Sequence, residues 1–249
     1  MNINELFKRI IYYISVPKCV YCGKKLEYNE RGLCSECIVK YEQHKTRNCS
    51  RCSKILSECS CSSSYLSRHG VKSLIKVFRY SKSEEAMPSN FLIYSLKQDN
   101  REDVLSLVAE ELSNSLRQSI DFGKGRYIIT NVPRRRKSIV SFGFDHAQLL
   151  ARRTAKLIGC EYVSLLVSKS KRAQKSVYGS ARIENAQFDY KRRKGISLKG
   201  YCVILVDDIV TTGASMSGCA DLLKKMGARR IIGASLAIAF KDSYTPRRR

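Results

Sequence analysis

The most informative part of the chain is residues 203–215, which read Val203-Ile204-Leu205-Val206-Asp207-Asp208-Ile209-Val210-Thr211-Thr212-Gly213-Ala214-Ser215. Four apolar residues predict a buried strand, and two adjacent carboxylates follow at its carboxyl end. A run of small and hydroxyl-bearing residues then leads into a predicted helix. The backbone N–H groups of such a loop, with the partial positive charge of a helix N-terminus, can enclose a phosphate. Adjacent carboxylates suit the vicinal hydroxyls of a ribose, or a magnesium ion held by them, so this segment predicts a site for a ribose 5-phosphate.

The sequence around this segment alternates between strand and helix patterns. One helix is expected from about Ser89 to Gln118, and Asp145 is expected to cap another that runs to about Ile158. Apolar runs predict strands at Tyr127–Val132, Tyr162–Val167, Tyr201–Val206 and Ile231–Ala239, with a helix at Ser215–Met226. This alternation indicates an α/β fold with a mostly parallel sheet, in which ligands bind at the carboxyl ends of the strands.

Two other kinds of site also place Val-Asp-Asp after an apolar strand. A P-loop ATPase is disfavoured because the chain contains no G-x-x-x-x-G-K-[S/T] segment. A phospho-receiver domain would need most of its length after the aspartates, but only 41 residues follow Asp208. The phosphate-and-ribose interpretation is therefore preferred.

Cysteines are concentrated near the N-terminus, where eight of the eleven lie between positions 19 and 61. They form four close pairs: Cys19 and Cys22, Cys34 and Cys37, Cys49 and Cys52, and Cys59 and Cys61. A C-x-x-C step brings two thiolates to one side of a tight turn, where both can bind zinc. The simplest grouping is sequential, with the first four cysteines on one ion and the last four on another, but the spacing also permits an interleaved grouping. Two closed, structural sites are expected, and four thiolates suit zinc or iron.

Composition sets the class of protein and of partner. The 249 residues carry 46 Lys and Arg against 22 Asp and Glu, a formal charge of +24, and 43% of them are hydrophobic, which excludes wholesale disorder. Two zinc–thiolate units would lower this charge only to about +20. The remaining positive charge predicts a polyanionic partner such as nucleic acid or a phosphorylated substrate.

No apolar run reaches the length of a membrane span. Apolar residues at helical spacing from Leu6 to Ile14 predict a short amphipathic helix instead of an export signal, which indicates a cytoplasmic protein.

The cysteine density also suggests a division of the chain. Residues 1–65 are expected to form an N-terminal helix and a cysteine-rich zinc-finger domain, and residues 66–249 the α/β domain. The run Ser62-Ser63-Ser64 has the composition of a linker between them. The three histidines, His44, His69 and His146, are not at ligand spacing to the cysteines and are expected to be surface or packing residues.

Residues 203–215 resemble the signature loop of type I phosphoribosyltransferases, which bind phosphoribosyl pyrophosphate (PRPP) together with magnesium. With the cysteine-rich head, the whole chain is similar to the ComF family of competence proteins, the ComFC/GntX-like group. The resemblance implies a parallel sheet flanked by helices, as in those transferases. It also implies that Asp207 and Asp208 are the catalytic acids that contact the ribose hydroxyls, and that the 5′-phosphate is held by Thr211, Thr212, Gly213, Ala214 and Ser215.

Three weaker blocks support the same resemblance. Ser95-Leu96-Lys97 resembles an L-K-Y segment of the family, with Gln98 in place of the aromatic residue. Gly143 to Ala147 resembles its R-G-F-N-Q-A block, but Phe142 stands where the family has arginine, so Arg134 and Lys137 are expected to supply positive charge to the pyrophosphate. The third block, from Gln174 to Asn185, resembles a mobile flap over the active site. The flap residues expected to approach the pyrophosphate on closure are Lys171, Arg172, Gln174 and Arg182.

Two functions follow as expectations. The first is a ComF-like protein of DNA uptake that binds PRPP at its phosphoribosyltransferase site and single-stranded DNA on a basic surface, alongside other proteins of the uptake machinery. The alternative is an active phosphoribosyltransferase that moves ribose 5-phosphate from PRPP to an acceptor, with the basic flap stabilising the departing pyrophosphate. No residue in the sequence identifies that acceptor.

Overall fold

The computed structural model describes residues 16–46, 48–80, 87–169, 187–191 and 196–239, without the side chains of His44, Ser141 and Phe142. The expected N-terminal helix and the side chain of Phe142 lie outside this description. The expected flap residues also lie outside it: Lys171, Arg172, Gln174 and Arg182.

A five-stranded parallel sheet forms the centre of the described structure, in the order β1-β7-β6-β2-β3. Its strands are β1 Val71–Tyr80, β2 Arg126–Asn131, β3 Glu161–Tyr162, β6 Tyr201–Val210 and β7 Arg230–Ala239. A separate antiparallel pair is formed by β4 Leu166–Ser168 and β5 Phe188–Tyr190. The expected α/β class with a parallel sheet is therefore confirmed.

Seven α-helices are described, and they cover both faces of the sheet. They are α1 Ser35–Lys45, α2 Ser64–Arg68, α3 Pro88–Gln98, α4 Glu102–Ser119, α5 Arg136–Phe142, α6 His146–Ile158 and α7 Ala214–Lys225. In β6, Ile204 and Val206 face a core shared with α3, α4 and α6, whereas Val203 and Leu205 face a second core shared with α2 and α7. Burial on both faces explains why this strand is an unbroken apolar run.

None of the described helices combines the length and the apolar character that crossing a membrane demands.

The expected single helix at Ser89–Gln118 is wrong in its continuity. The chain leaves the helix after Gln98, and Asn100 adopts a left-handed backbone with φ of 47° before α4 begins at Glu102. Asparagine tolerates this conformation better than most residues because its short polar side chain can hydrogen-bond locally. The expected apolar face is nonetheless buried throughout: Leu92, Leu96, Leu105, Val108, Leu112 and Leu116.

Two further expectations need correction. The apolar run Tyr162–Val167 is split, because β3 pairs with β2 in the main sheet while β4 begins at Leu166 and pairs with β5. The three serines are part of the fold: the Ser62 hydroxyl donates to the Val71 carbonyl oxygen at 2.6 Å, and Ser63 caps α2 by accepting from the Leu66 N–H at 3.2 Å. Polar composition alone does not distinguish a linker from capping and turn positions.

The two cysteine-rich segments lie against opposite faces of the sheet. Cys19, Cys34 and Cys37 belong to the core that contains α3 and α4, and Cys49 and Cys59 belong to the core that contains α7. The second segment also joins the open edge of β1, where the Leu74 N–H donates to the Ser60 carbonyl oxygen at 3.0 Å and Cys61 bridges to Ser73 in the antiparallel sense. The domain boundary at residue 65 stays a prediction, and packing crosses it on both faces.

Candidate functional site

Asp207 and Asp208 lie near the carboxyl end of β6, the central position expected of a ligand site in a parallel sheet. The strand continues through them to Val210. Their carboxylates also accept from the chain itself: the Asp208 N–H donates to Asp207 Oδ1 at 2.9 Å, and the Ile209 N–H donates to Asp208 Oδ1 at 2.7 Å. These bonds fix the rotamers of both carboxylates before any ligand arrives.

Lys97 on α3 reaches the acidic pair from the side. Its Nζ lies 2.9 Å from Asp208 Oδ2, in an ion pair whose side chains are 19% and 13% exposed. Lys97 belongs to the Ser95-Leu96-Lys97 segment that resembles the family, but nothing in the sequence around it predicts a partner on β6.

The two carboxylates are held in different electrostatic states. Burial and the neighbouring Asp208 charge raise the pKa of Asp207 well above its usual value. Burial acts in the same sense on Asp208, but Lys97, with help from the Arg134 guanidinium, outweighs it and lowers the pKa of Asp208 to about 2. Asp208 therefore carries the negative charge of the pair, and Asp207 retains its proton to higher pH. One acceptor beside one potential donor is a suitable arrangement for two adjacent hydroxyls.

The loop after β6 turns sharply into α7. Gly213 has φ of 81° and is the residue that precedes the helix. The Thr212 Oγ1 accepts from the Ala214 N–H at 3.3 Å, which shapes the turn. Thr211 is exposed and Thr212 and Ser215 are partly exposed, whereas Gly213 and Ala214 are buried. The expected loop Thr211–Ser215 is thus brought to the N-terminus of α7, with its two ends open to solvent.

Helix α2 supports this loop from behind. A Cβ atom at Gly213 would lie 2.8 Å from Leu66 Cγ, closer than real side chains approach, so only glycine fits there. In the next turn the Ser217 hydroxyl lies 3.3 Å from the Tyr65 hydroxyl, and His69 Nδ1 lies 2.6 Å from Asp221 Oδ2. Since α2 begins directly after the last cysteine pair, the second cysteine segment and the loop are mechanically connected.

A polar network occupies the neighbouring strand end, beyond β2. Asp145 caps α6 as expected by accepting from the Gln148 N–H at 3.1 Å, and it also accepts from the Arg134 N–H at 3.0 Å. The Tyr162 hydroxyl donates to Asn131 Oδ1 at 2.7 Å and accepts from Gln148 Nε2 at 3.1 Å. Burial raises the pKa of Asp145, since its backbone donors only partly offset the desolvation. Arg134 is therefore placed beside the acidic pair, whereas Lys137 is exposed on α5.

The cysteines form two separate clusters, in the sequential grouping. Cys19, Cys22, Cys34 and Cys37 make one and Cys49, Cys52, Cys59 and Cys61 the other, with the sulfur atoms of each within 4.8 Å of one another. The Sγ–Sγ separation is 3.7 Å for Cys22 and Cys34 and 3.5 Å for Cys52 and Cys59. A tetrahedron with bonds of about 2.3 Å has edges of about 3.8 Å. Both clusters therefore fit a four-thiolate zinc site, and none of the eleven cysteines forms a disulfide.

The second cluster has a buried cation beside it that the sequence did not reveal. Lys76 on β1 is 2% exposed, and its Nζ donates to Cys61 O at 2.8 Å, Leu74 O at 3.1 Å and Cys59 O at 3.2 Å. The same nitrogen lies 3.2 Å from Cys59 Sγ. A fully buried lysine is rare unless it is paired, and here it faces a thiolate cluster that carries net negative charge when a divalent metal is bound.

Comparisons with known proteins found a domain family, full-length relatives and solved structures that resemble parts of this chain. Residues 143–249 match the phosphoribosyl transferase domain family. Competence protein ComFC of Streptococcus pneumoniae is 26% identical over 235 residues, which are 88% of this chain and 99% of that protein. DNA utilization protein YhgH of Salmonella typhimurium is 24% identical over 224 residues, 88% of this chain and 96% of that protein. A hypoxanthine phosphoribosyltransferase structure from Staphylococcus aureus aligns with a TM-score of 0.38 and 12% identity, covering 54% of this chain and 62% of that one.

Proposed function

We propose that the chain serves DNA uptake by binding PRPP at residues 207–215 and single-stranded DNA on its basic surface. Its similarity to ComFC and YhgH over 88% of its length, and the match of residues 143–249 to the phosphoribosyl transferase domain family, support this proposal. The observation that carries the PRPP part is the position of Asp207 and Asp208 near the carboxyl end of β6, directly before a loop that turns into the N-terminus of α7. We further propose that the protein works in the cytoplasm with other uptake proteins.

In this proposal each group has one role. Asp208 accepts from one ribose hydroxyl, Asp207 hydrogen-bonds to the other, and the N–H groups of Thr211–Ser215 hold the 5′-phosphate. Arg134 lies where positive charge can meet a pyrophosphate, and Lys137 and the flap residues would add to it on closure. Carboxylate oxygens at the strand end fit a magnesium ion that accompanies PRPP, and such an ion would neutralise the pyrophosphate charge.

Binding of PRPP can be tested by calorimetry on the full chain with magnesium present. Asp207→Asn with Asp208→Asn is expected to weaken binding at least about 100-fold, because hydrogen bonds to charged groups contribute roughly 1.5–3 kcal/mol each. Asp121→Asn, an exposed acid remote from the site, is the matched control and is expected to bind as the parent does. Hydrogen exchange gives a second readout, in which PRPP should protect the amides of residues 211–215. Unchanged affinity together with unprotected amides would refute the site.

Binding of single-stranded DNA rests on the excess of 46 basic over 22 acidic residues. Phosphate contacts made by Lys and Arg release counterions, so affinity for a short single strand should fall steeply as salt rises. Fluorescence anisotropy with a labelled oligothymidylate measures this slope. Undetectable binding, or an affinity that does not respond to salt, would remove the nucleic-acid part of the proposal while leaving PRPP binding to be judged by calorimetry.

An active transferase remains the alternative, favoured by the match of residues 143–249 to the phosphoribosyl transferase domain family. The reaction would break the bond between C1 and the pyrophosphate and form a bond from C1 to the acceptor. Consumption of PRPP measured across nucleobases and amine donors distinguishes the two functions. Turnover that is lost in the Asp207→Asn, Asp208→Asn variant would establish the enzyme, and an inert panel with intact PRPP binding would favour a binding role.

A further inference from the structure

Four aromatic rings form a continuous row that leads from the first cysteine cluster to the carboxyl end of β1. Tyr21, between Cys19 and Cys22, meets Phe91 edge-to-face with ring centroids 5.3 Å apart. Phe91 meets Tyr94 in the same manner at 6.3 Å, and Tyr94 meets Tyr80 at 6.3 Å. The Tyr80 and Tyr94 hydroxyls share a hydrogen bond of 2.9 Å. Edge-to-face packing holds each ring in a fixed plane, so the row is a rigid surface.

A cleft of about 460 Å³ opens along this row, between the first cysteine turn and helix α3. Its lining combines ring surface with a few polar groups: Val20, Phe91, Tyr94, Ser95, Gln98, Asp99 and Arg101. Tyr94 remains 37% exposed, which is unusual for a large ring held by two neighbouring rings. Gln98 and Asp99 are exposed at one end, where the amide can donate to and accept from a planar polar molecule and the carboxylate can accept from it.

The electrostatics around the cleft favour an anionic chain passing beside it. Lys40 Nζ lies 5.8 Å from the centroid of the Tyr21 ring, and Lys18 and Lys25 are exposed on the same cysteine turn. Arg101 holds the far wall by donating to the Lys18 carbonyl oxygen at 2.6 Å while its other nitrogens bind Asp103. Exposed cations are thus found at the end of the row that contains Tyr21, and cations beside aromatic rings can track a phosphate backbone and stack its bases.

We propose that this cleft binds an unpaired nucleobase, stacked on the Tyr94 ring with its polar edge toward Gln98 and Asp99. The proposal rests on the single-stranded DNA binding proposed above and gives that function a defined base-binding position. Helix α3 supplies both this cleft and Lys97, the partner of Asp208, so a base bound here lies on the same helix that reaches the sugar-phosphate site. The same stacking and polar contacts would bind a nucleobase of a DNA strand or of a free nucleotide, and the probes below distinguish the two.

The chain contains no tryptophan, so Tyr94→Trp introduces a unique fluorophore at the proposed position. Three probes separate the sources of binding: a short oligothymidylate, an abasic strand of the same length and charge, and thymidine 5′-monophosphate. Quenching by the oligothymidylate is expected, with none from the abasic strand, because only a base can stack on the ring. Quenching by the mononucleotide alone would keep the base site and assign it to a free nucleotide.

Affinity provides the second measurement and does not depend on the tryptophan. Tyr94→Ala is expected to weaken oligothymidylate binding about 10-fold, within the range for loss of one stacked base, and to leave abasic-strand binding unchanged. Tyr94→Phe should retain binding, and Tyr28→Ala, at another exposed tyrosine of the first cysteine segment, is the matched control. Salt-dependent strand binding with no quenching and no difference between Tyr94→Ala and Tyr28→Ala would overturn the base site alone. Absence of any strand or nucleotide binding would overturn the nucleic-acid function as well.

Discussion

Replacing Lys76 by methionine removes one buried ammonium while keeping most of the side-chain volume. In the parent protein this nitrogen satisfies three carbonyl oxygens and lies 3.2 Å from the Cys59 sulfur. Methionine leaves those acceptors without their donor and leaves the thiolate cluster without its nearest positive charge. We therefore expect the second metal site to weaken selectively.

The magnitude follows from the same contacts. Loss of an outer-shell partner lowers metal affinity by about 10–100-fold, and removing one member of a buried charge pair costs about 3–5 kcal/mol. Part of this cost is offset because methionine, unlike lysine, has no charged group that must lose its hydration when the protein folds. An affinity loss near the upper end, about 100-fold or roughly 2.7 kcal/mol, is expected for the second site.

Zinc transfer to a chromophoric chelator measures this effect. The parent should hold two zinc ions per chain, and Lys76→Met should release one of them at about 100-fold lower chelator concentration. Thiol alkylation read by mass spectrometry should then modify Cys49–Cys61 before Cys19–Cys37. Lys24→Met is the control, since Lys24 lies near the first cluster but is 59% exposed and pairs with Glu36 at 2.9 Å. Release of both ions from Lys76→Met at the parental chelator concentration would refute the reasoning.

Two further predictions concern the sugar-phosphate site. Gly213→Ala should lower the free energy of unfolding by about 2–4 kcal/mol, because an added Cβ meets Leu66 Cγ at 2.8 Å in addition to the left-handed strain. Gly143→Ala is the control: it has the same strain, with φ of 79°, but open space around it, and should lose only about 1 kcal/mol. Equal losses in urea unfolding would contradict the contact with Leu66. Lys97→Met should remove stability that Asp208 contributes. Since the pKa of Asp208 is lowered to about 2, this stability is present above the unfolded value near 4 and is lost as pH falls toward 2. The difference between parent and variant, on the order of 2 kcal/mol at pH 6, should therefore vanish near pH 2, and a difference that stays constant with pH would count against the ion pair. Lys124→Met, in an exposed pair, should show no such dependence.

The segment 203–215 could be interpreted from sequence because two local signals coincide in it. A strand buried on both faces must be apolar throughout, as Val203–Val206 is. The small and hydroxyl-bearing residues Thr211–Ser215 predict a turn into a helix, which the structure contains, and their role in binding phosphate stays a prediction. The cysteine clusters could be predicted from the sequence equally well, since the spacing of the ligands is set by local turns. Here the simplest grouping is also the one that the structure contains.

The features that sequence reasoning missed depend on contacts between distant parts of the chain. Lys97 resembles any lysine near the end of a helix, and only the packing of α3 across the sheet brings its ammonium to Asp208. Lys76 is one of three basic residues in Val71–Tyr80, and nothing local shows that the second cysteine segment covers this one. The break at Asn100 has a weak local signal in the Asp99-Asn100 pair, which the strong helical periodicity on both sides obscured.

The attachment of Ser60 and Cys61 to β1 has a consequence for the behaviour of the protein at high concentration. The Val71–Tyr80 strand is ten residues long, and its outer margin would otherwise present unpaired N–H and C=O groups. Such a margin is a template on which copies of a chain can join into aggregates. The cysteine cluster that caps it fits a four-thiolate metal site, so we expect this segment to depend on metal for its shape. Depletion of the metal should then show itself first as precipitation, before the sheet itself melts.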